Sequence, residues 1–349
     1  MQSDRISRRG FMRDVVAGAA GVAVGLGSAS HLDADSSPKD DCSILNYNPE
    51  MEYRRLGKTG LMVSAVSLGG HWKRVNVMNQ DFDRNRHDVI SRCIERGINY
   101  VDACCRPEVN AYSKALKGRR DKMYMALSYA GREVRNQKYR TRRKLLESLD
   151  SLLKESNQDY TDLWRITSMT TGSRHSFADS CEIVAALEEA KKQGKTRFVG
   201  ISSHDRKWLK FMIEYFSQIE VVLFPYTANT KVMPKDSIFE ALKKCDAGAF
   251  GIKPFSSNSV FDGSSSPEDP HADQDDRTAR LAIRYILCNQ RIIPIPGLIS
   301  AHQVDNIAKA VKERRRLDEA EAKELQQRMD NAWANLPKNY QWLKNWEYV

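Results

Sequence analysis

This 349-residue chain lacks an apolar run long enough to hold a helix permanently across a bilayer. The one weakly apolar stretch near its start, residues 15–26, is short and rich in alanine and glycine, so no stable membrane anchor is expected. The seven cysteines lack metal-ligand spacing. Cys104 and Cys105 are adjacent, which is poor geometry for chelating one ion or for an ordinary disulfide. No metal site is therefore expected, and the odd count leaves at least one thiol free unless chains are bridged. Zinc-finger spacing and an aromatic-rich RNA-binding signature are also absent. Beyond an alternation of strand and helix patterns there is no internal repeat.

What is present is a soluble globular composition, 41% apolar and 29% charged, with a net charge of +10. The charge is unevenly placed. Residues 31–50 hold Lys39 against Asp33, Asp35, Asp40, Asp41 and Glu50, while much of the positive excess lies between Arg106 and Lys144. Such a run suits either a nucleic-acid partner or a solvated helix face that attracts anionic ligands. Without a nucleic-acid motif, the second reading is taken and no nucleic acid is expected.

Residues 7–13, Ser-Arg-Arg-Gly-Phe-Met-Arg, look like a twin-arginine export motif. The apolar run follows, and then small residues at 27–30 that offer cleavage sites. Residues 1–30 are thus expected to be a signal peptide read by the twin-arginine export machinery, and the mature protein to be periplasmic or otherwise extracytoplasmic. Outside the cytoplasm there is no free pool of reduced nicotinamide, so any dinucleotide would have to be held tightly and recycled. Residues 31–50 are polar and read as a linker.

From residue 51 onward, short β-rich runs alternate with helical patterns. The runs are 65–68, 98–102, 123–127, 163–167, 197–202, 221–225, 249–253 and 292–296. Helical spacing fills the gaps, as in Leu145, Leu146, Leu149, Leu152 and Leu153. Eight strand–helix units predict one α/β domain over 51–349, a (β/α)8 TIM barrel, in place of two domains. Residues 51–63, centred on Leu-Gly-Lys-Thr-Gly, read as a hairpin ahead of the first barrel strand. The polar segment 256–277 follows the seventh strand, as a mobile lid or a disordered insertion. The tail carries Tyr340, Trp342, Trp346 and Tyr348, aromatics that are costly to expose. They would pave the barrel mouth or pack on its outside.

The pieces RRLGKTGLMVSAVSLGG, GINYVDA, ALKGRRDK, SLDSLLKE, GKTRFVGIS and IPGLISAHQVDN resemble the aldo-keto reductase superfamily over residues 51–312. The resemblance implies that the hairpin plugs the barrel floor. It also implies carbonyl reduction by hydride from NADP or NAD, with a tyrosine as proton donor tuned by a lysine and an aspartate, and a histidine orienting the carbonyl. A tyrosine starts near pKa ~10, so the lysine's charge is needed to bring it into range. Asp102 matches the family aspartate. The tyrosine position falls at Pro107 or Arg106, the lysine position at Ser128 and the histidine position at Thr167. Tyr112 is the nearest alternative donor, and otherwise packs in a helix.

At the strand tips, Arg106 and Arg165 suit carboxylate, phosphate or sugar hydroxyls. They equally suit an ion-pair network across the barrel top. His71 and Trp72 follow the first strand. The resemblance assigns Ser202 and Ser203 to the nicotinamide amide, Tyr226 to stacking on its ring, and Gly297, Ser300, Gln303 and Asn306 to the pyrophosphate and adenosine; Lys253, a cation ending the seventh strand, is a further cofactor-binding candidate. Ordinary strand–turn–helix punctuation explains 297–306 equally simply. Three functions follow: an oxidoreductase of a small sugar- or polyol-like carbonyl, a catalytically degenerate ligand-binding barrel, and a non-redox lyase or hydrolase acting on a sugar acid.

Overall fold

The computed structural model describes residues 44–70, 81–168, 171–266 and 268–349. The expected signal peptide, most of the expected linker, His71 and Trp72 lie outside them. Residues 44–50 belong to the fold and not to a linker. Asn46 Nδ2 donates to the Ile94 carbonyl at 2.8 Å and Asn48 Nδ2 to the Glu95 carbonyl at 3.0 Å.

Seven parallel strands lie side by side in chain order: β3 (Tyr100–Ala103), β4 (Tyr124–Leu127), β5 (Thr161–Thr167), β6 (Thr196–Ser202), β7 (Val221–Pro225), β8 (Gly248–Ile252) and β9 (Ile293–Pro294). Residues 65–69 join the two edges. Leu68 bridges to Val101 of β3, and Gly69 bridges to Gly297 beyond β9. The cylinder thus closes with eight staves, which covers both edges of the seven-stranded sheet. The strand-to-strand crossovers are helical: α1 (Phe82–Glu95), α2 (Arg106–Ala115), α3 (Arg142–Glu155), α4 (Phe177–Lys192), α5 (Arg206–Tyr215), α6 (Ile238–Cys245) and α7 (Ala272–Leu287). After β9 come α8 (Ala301–Lys312) and α9 (Glu319–Ala334).

Two apolar clusters follow from the period-2 alternation of strands. Tyr100, Tyr124, Ala126, Leu163, Val221, Leu223, Phe250 and Ile293 fill the barrel interior. Their neighbours Val101, Met125, Trp164, Val222 and Phe224 face the helices. The hairpin of β1 (Tyr53–Arg55) and β2 (Met62–Ser64) inserts Leu56, Leu61 and Val63 into the interior cluster, which makes it the floor. Gly57 has φ +50°, and a Cβ there would collide with the Gly248 amide, so only glycine fits.

The expected lid segment is partly built. A turn at Ser256–Asn258 follows β8, and α7 begins at Ala272. The aromatic tail is a 3-10 stretch, Lys338–Trp346, and it does both things expected of it. Tyr340 and Trp342 lie against mouth residues, while Trp346 stacks on the outward Phe224 at 5.5 Å.

Candidate active site at the barrel mouth

The same alternation decides which residues reach the mouth. Tyr100 and Leu163 point inward, so two residues further on Asp102 and Arg165 point inward as well, and then Cys104 and Thr167. They meet above a floor made by the stacked rings of Tyr100 and Phe250, 4.4 Å apart. Arg165 and Asp102 are 3% and 5% exposed. The pair is bidentate: Nε donates to Oδ2 at 2.9 Å, and Nη2 to Oδ1. Nη1 of Arg165 donates to Thr167 Oγ1 at 2.7 Å. Forks of this kind are the strong form of charge-assisted bond. Asp102 and Arg165 are therefore brought together, but on each other. Asp102 holds the guanidinium charged against the cost of burying it.

Beside this pair lies a carboxylate that sequence reasoning missed. Glu133, in the loop after β4, is buried, and four donors converge on its carboxylate. Oε2 accepts from Ser128 Oγ at 2.6 Å and the Thr167 amide at 2.8 Å. Oε1 accepts from the Tyr129 amide at 2.9 Å and Trp164 Nε1 at 3.4 Å. Burial raises its pKa, against the pull of those donors and of Arg165. Ser128 and Thr167, the residues that the resemblance puts at the family's lysine and histidine positions, are 2.7 Å apart and belong to this network. The signal was too weak to read, because Glu133 sits in an irregular loop with no periodicity.

Several expected positions are corrected. Arg106 is the first residue of α2, exposed, and ion-paired with Glu155 at 2.5 Å, so it orients nothing at the mouth. Tyr112 is enclosed in the shell core and donates to the Gly69 carbonyl at 2.6 Å. Burial drives its pKa well above the usual tyrosine value, and its proton is already given to a backbone carbonyl, both of which argue against a donor role. Tyr226 falls on the outward parity of β7, like Val222 and Phe224. Its ring packs edge-on to Phe239 at 5.8 Å, in the helix-side shell and not among the interior residues, and burial pushes its hydroxyl up to about 12.

Ser202 ends β6 facing inward, and its carbonyl accepts from Ser168 N at 2.9 Å. Ser203 is turned away, with its hydroxyl accepting from the Asp205 amide at 3.1 Å. Ser300 caps α8 through the Gln303 amide at 3.2 Å, and Gln303 Oε1 accepts from the Ile299 amide at 2.9 Å. Asn306 ties α8 to α7, accepting from Arg280 at 2.5 Å and donating to the Asp276 carbonyl at 2.9 Å. These two amides are committed within the protein and not aimed at an adenosine. Gly297 is exposed at the mouth edge, and Lys253 is half-buried there. Among the described residues, no group of three or more His, Cys, Asp or Glu is arranged to hold a metal ion, and no helix is long and apolar enough to cross a membrane.

The fold and these sequence features have relatives. The chain is 24% identical over 291 residues to the L-galactose dehydrogenase of Arabidopsis thaliana, covering 76% of this chain and 89% of that protein. It is 25% identical over 184 residues to Protein tas of Escherichia coli, and there the chain spans only 52% of the relative and 44% of itself. Among solved structures, an aldo-keto reductase from Bacillus halodurans in its holo form superposes with a TM-score of 0.59 at 21% identity, covering 83% of this chain and 99% of that one. An aldo-keto reductase from Klebsiella pneumoniae in complex with NADPH gives 0.60 at 15% identity, covering 79% and 94%. Residues 65–278 match the model of the aldo/keto reductase family, and the chain belongs to that family.

Proposed function

We propose that this protein is an oxidoreductase of a small sugar- or polyol-like carbonyl that uses a nicotinamide dinucleotide, in an exported, periplasmic setting. The observation that carries the reading is a cradle at the tip of β8. Ser256, Ser257 and Asn258 adopt left-handed φ values of 48°, 59° and 68° in succession. The hydroxyls of Ser256 and Ser257 are buried without any hydrogen-bond partner. Buried orphan hydroxyls are costly, and strained turns of this sort collect at ligand sites. β8 neighbours β9, so this turn lies next to the exposed Gly297 and the start of α8. Close backbone approach and a helix N-terminus suit an anion.

These residues fit the phosphates of a dinucleotide. Ser256, Ser257 and Gly297 would hold them. At the nicotinamide end the inward Ser202 remains available, while Tyr226 and Ser203 do not reach. When bound, the dinucleotide supplies a hydride to a carbonyl carbon. This chain's own part is to hold the substrate over the Asp102–Arg165 layer, exclude water with the Tyr340–Trp342 tail, and provide a proton. Relatives named for L-galactose and for L-glyceraldehyde 3-phosphate support a polyhydroxylated substrate.

A second reading, a barrel that binds without turnover, draws on the closed Asp102–Arg165 pair. That pair also argues against a lyase or hydrolase run by Asp102, since both carboxylate oxygens are already engaged. The test is titration of NADPH and NADH fluorescence with the mature protein, followed by assay with L-galactose and glyceraldehyde. Quenching in the micromolar range with turnover supports the oxidoreductase. Quenching alone supports the binding barrel, and flat titrations with both dinucleotides remove the reading. Export is checked by fusing residues 1–50 to a reporter that is active only outside the cytoplasm, with Arg8→Lys/Arg9→Lys expected to retain it inside.

A further inference from the structure

The carbonyl-reduction reading needs a proton donor, and the resemblance puts Pro107 or Arg106 at the family's tyrosine position and Ser128 at its lysine position. One side chain at the mouth is placed for the task and, among the described residues, is held only by an aromatic face. Lys253 follows β8, where strand parity would turn it outward toward the helices. Its φ of +62°, ahead of Pro254, breaks that parity. A non-glycine residue in this region is costly, and such outliers gather where function demands them. The break swings the ammonium over the mouth, where it lies 5.3 Å from the centre of the Tyr340 ring.

The titratable and charged groups that face it come from three elements besides its own: Tyr340 from the tail, Cys104 and Glu108 from the β3–α2 junction, and Arg135 from the loop after β4. Cys104 also feels Arg165, which ties Lys253 to the Asp102–Arg165 layer. Among the described residues, no carboxylate lies within ion-pair distance of Lys253. Among the described residues, its N–H donors have the Tyr340 face as their neighbour and no hydrogen-bond acceptor. Burial, helped by Arg135, lowers its pKa below the ordinary lysine range, while Tyr340, Cys104 and Glu108 oppose that shift.

We propose that Lys253 is the proton donor of this barrel, standing at the substrate oxygen where the family's tyrosine is missing. The inference rests on the oxidoreductase reading. As hydride reaches the carbonyl carbon, the carbon–oxygen π bond opens and the oxygen takes a proton from Nζ. An N–H bond breaks and an O–H bond forms. The carbonyl is reduced to the alcohol, the dinucleotide is oxidised, and the neutral amine is reprotonated from water. Tyr340 is the wall that holds the lysine in place.

The first test needs no turnover. Wild-type protein is acetylated with acetic anhydride across a pH series, and each lysine is followed by peptide mass spectrometry. Lys253 should reach half-labelling at a lower pH than the ordinary surface lysines, and should still do so with saturating NADPH present. Labelling in step with the surface lysines overturns the proposal. Complete protection by NADPH overturns it as well, since the ammonium would then belong to the phosphates.

The second test uses glyceraldehyde reduction. A charge-only role predicts that Lys253→Arg keeps most of kcat. Proton donation predicts a loss of about 10²–10⁴-fold in both Lys253→Arg and Lys253→Met, with the high-pH limb of the kcat profile gone. NADPH quenching in both variants should stay within threefold of wild type, which separates loss of the donor from loss of the cofactor. Tyr340→Phe should cost less than tenfold in kcat, and a larger loss would move the proton to the Tyr340 hydroxyl and sink the assignment to Lys253.

Discussion

The Asp102–Arg165 pair sets up a quantitative test. Both side chains are nearly excluded from water and bonded through both carboxylate oxygens. Replacing Asp102 by leucine leaves the guanidinium with Thr167 Oγ1 and no counter-charge. Replacing Arg165 by methionine strands the carboxylate. Breaking one side of a buried pair costs about 3–5 kcal/mol, because the remaining charge is unpaid for by water. With an unfolding entropy of about 2.1 cal/mol/K per residue over about 300 ordered residues, 1 kcal/mol moves Tm by about 1.6 °C, so each single change should lower Tm by about 5–8 °C. The double change Asp102→Leu/Arg165→Met removes both charges and should lie within about 2 kcal/mol of wild type, since apolar replacements of buried pairs are often neutral. The coupling energy from the cycle should then exceed about 3 kcal/mol. Differential scanning calorimetry and urea unfolding of the four proteins provide the measurement. If both singles fall by less than about 1.6 °C, the pair is energetically a surface salt bridge, worth about 0–1 kcal/mol, and the account of a dry ion-paired layer fails. From the sequence, Arg165→Met was equally consistent with lost ligand binding at unchanged Tm. The bidentate burial reverses that expectation.

Three further outcomes follow from the same geometry. Tyr112→Phe deletes the bond to the Gly69 carbonyl and should cost about 1–3 kcal/mol by urea unfolding, with NADPH quenching intact; loss of turnover without loss of stability would restore Tyr112 as a donor. Gly57→Ala should destabilise by more than about 1 kcal/mol, from the left-handed backbone and the collision with the Gly248 amide together, and an unchanged Tm would mean that the hairpin does not plug the floor. Glu133 has a folded pKa raised above its unfolded value, so the folded state holds the extra proton between the two. The stability this adds is complete below the ordinary glutamate range and is lost as pH rises through the folded pKa. Glu133→Gln should flatten that slope in the stability–pH profile and lower stability near neutrality, because its NH2 must face donors in either orientation. A wild-type profile that climbs through this window would contradict the raised pKa.

Strand–helix alternation, glycine at the hairpin turn and the run of strand-tip residues were legible one residue at a time, because each depends on local backbone preference and on period-2 or helical spacing. That was enough for the barrel, its hairpin and the inward aim of Asp102 and Arg165. Tyr226 shows the limit: its neighbours resemble a cofactor shelf, yet one step of strand parity sends the ring into the helix shell. Tyr112 and Arg106 show a second, since the sequence around Tyr112 read as helical without saying which side would meet Gly69, and Arg106 read as a strand-tip residue where the structure starts a helix and pairs it with Glu155. Only closure of the cylinder decided that Asp102 would be spent on Arg165, that Glu133 would gather donors from two strand tips, and that a lysine past β8 would come under a tyrosine from the tail. Apart from the local Glu133–Ser128 bond, those pairings join residues tens to nearly a hundred positions apart, and burial shifts the charge equilibria of the groups in them. Neither distance nor dielectric exists along a sequence until the chain has folded.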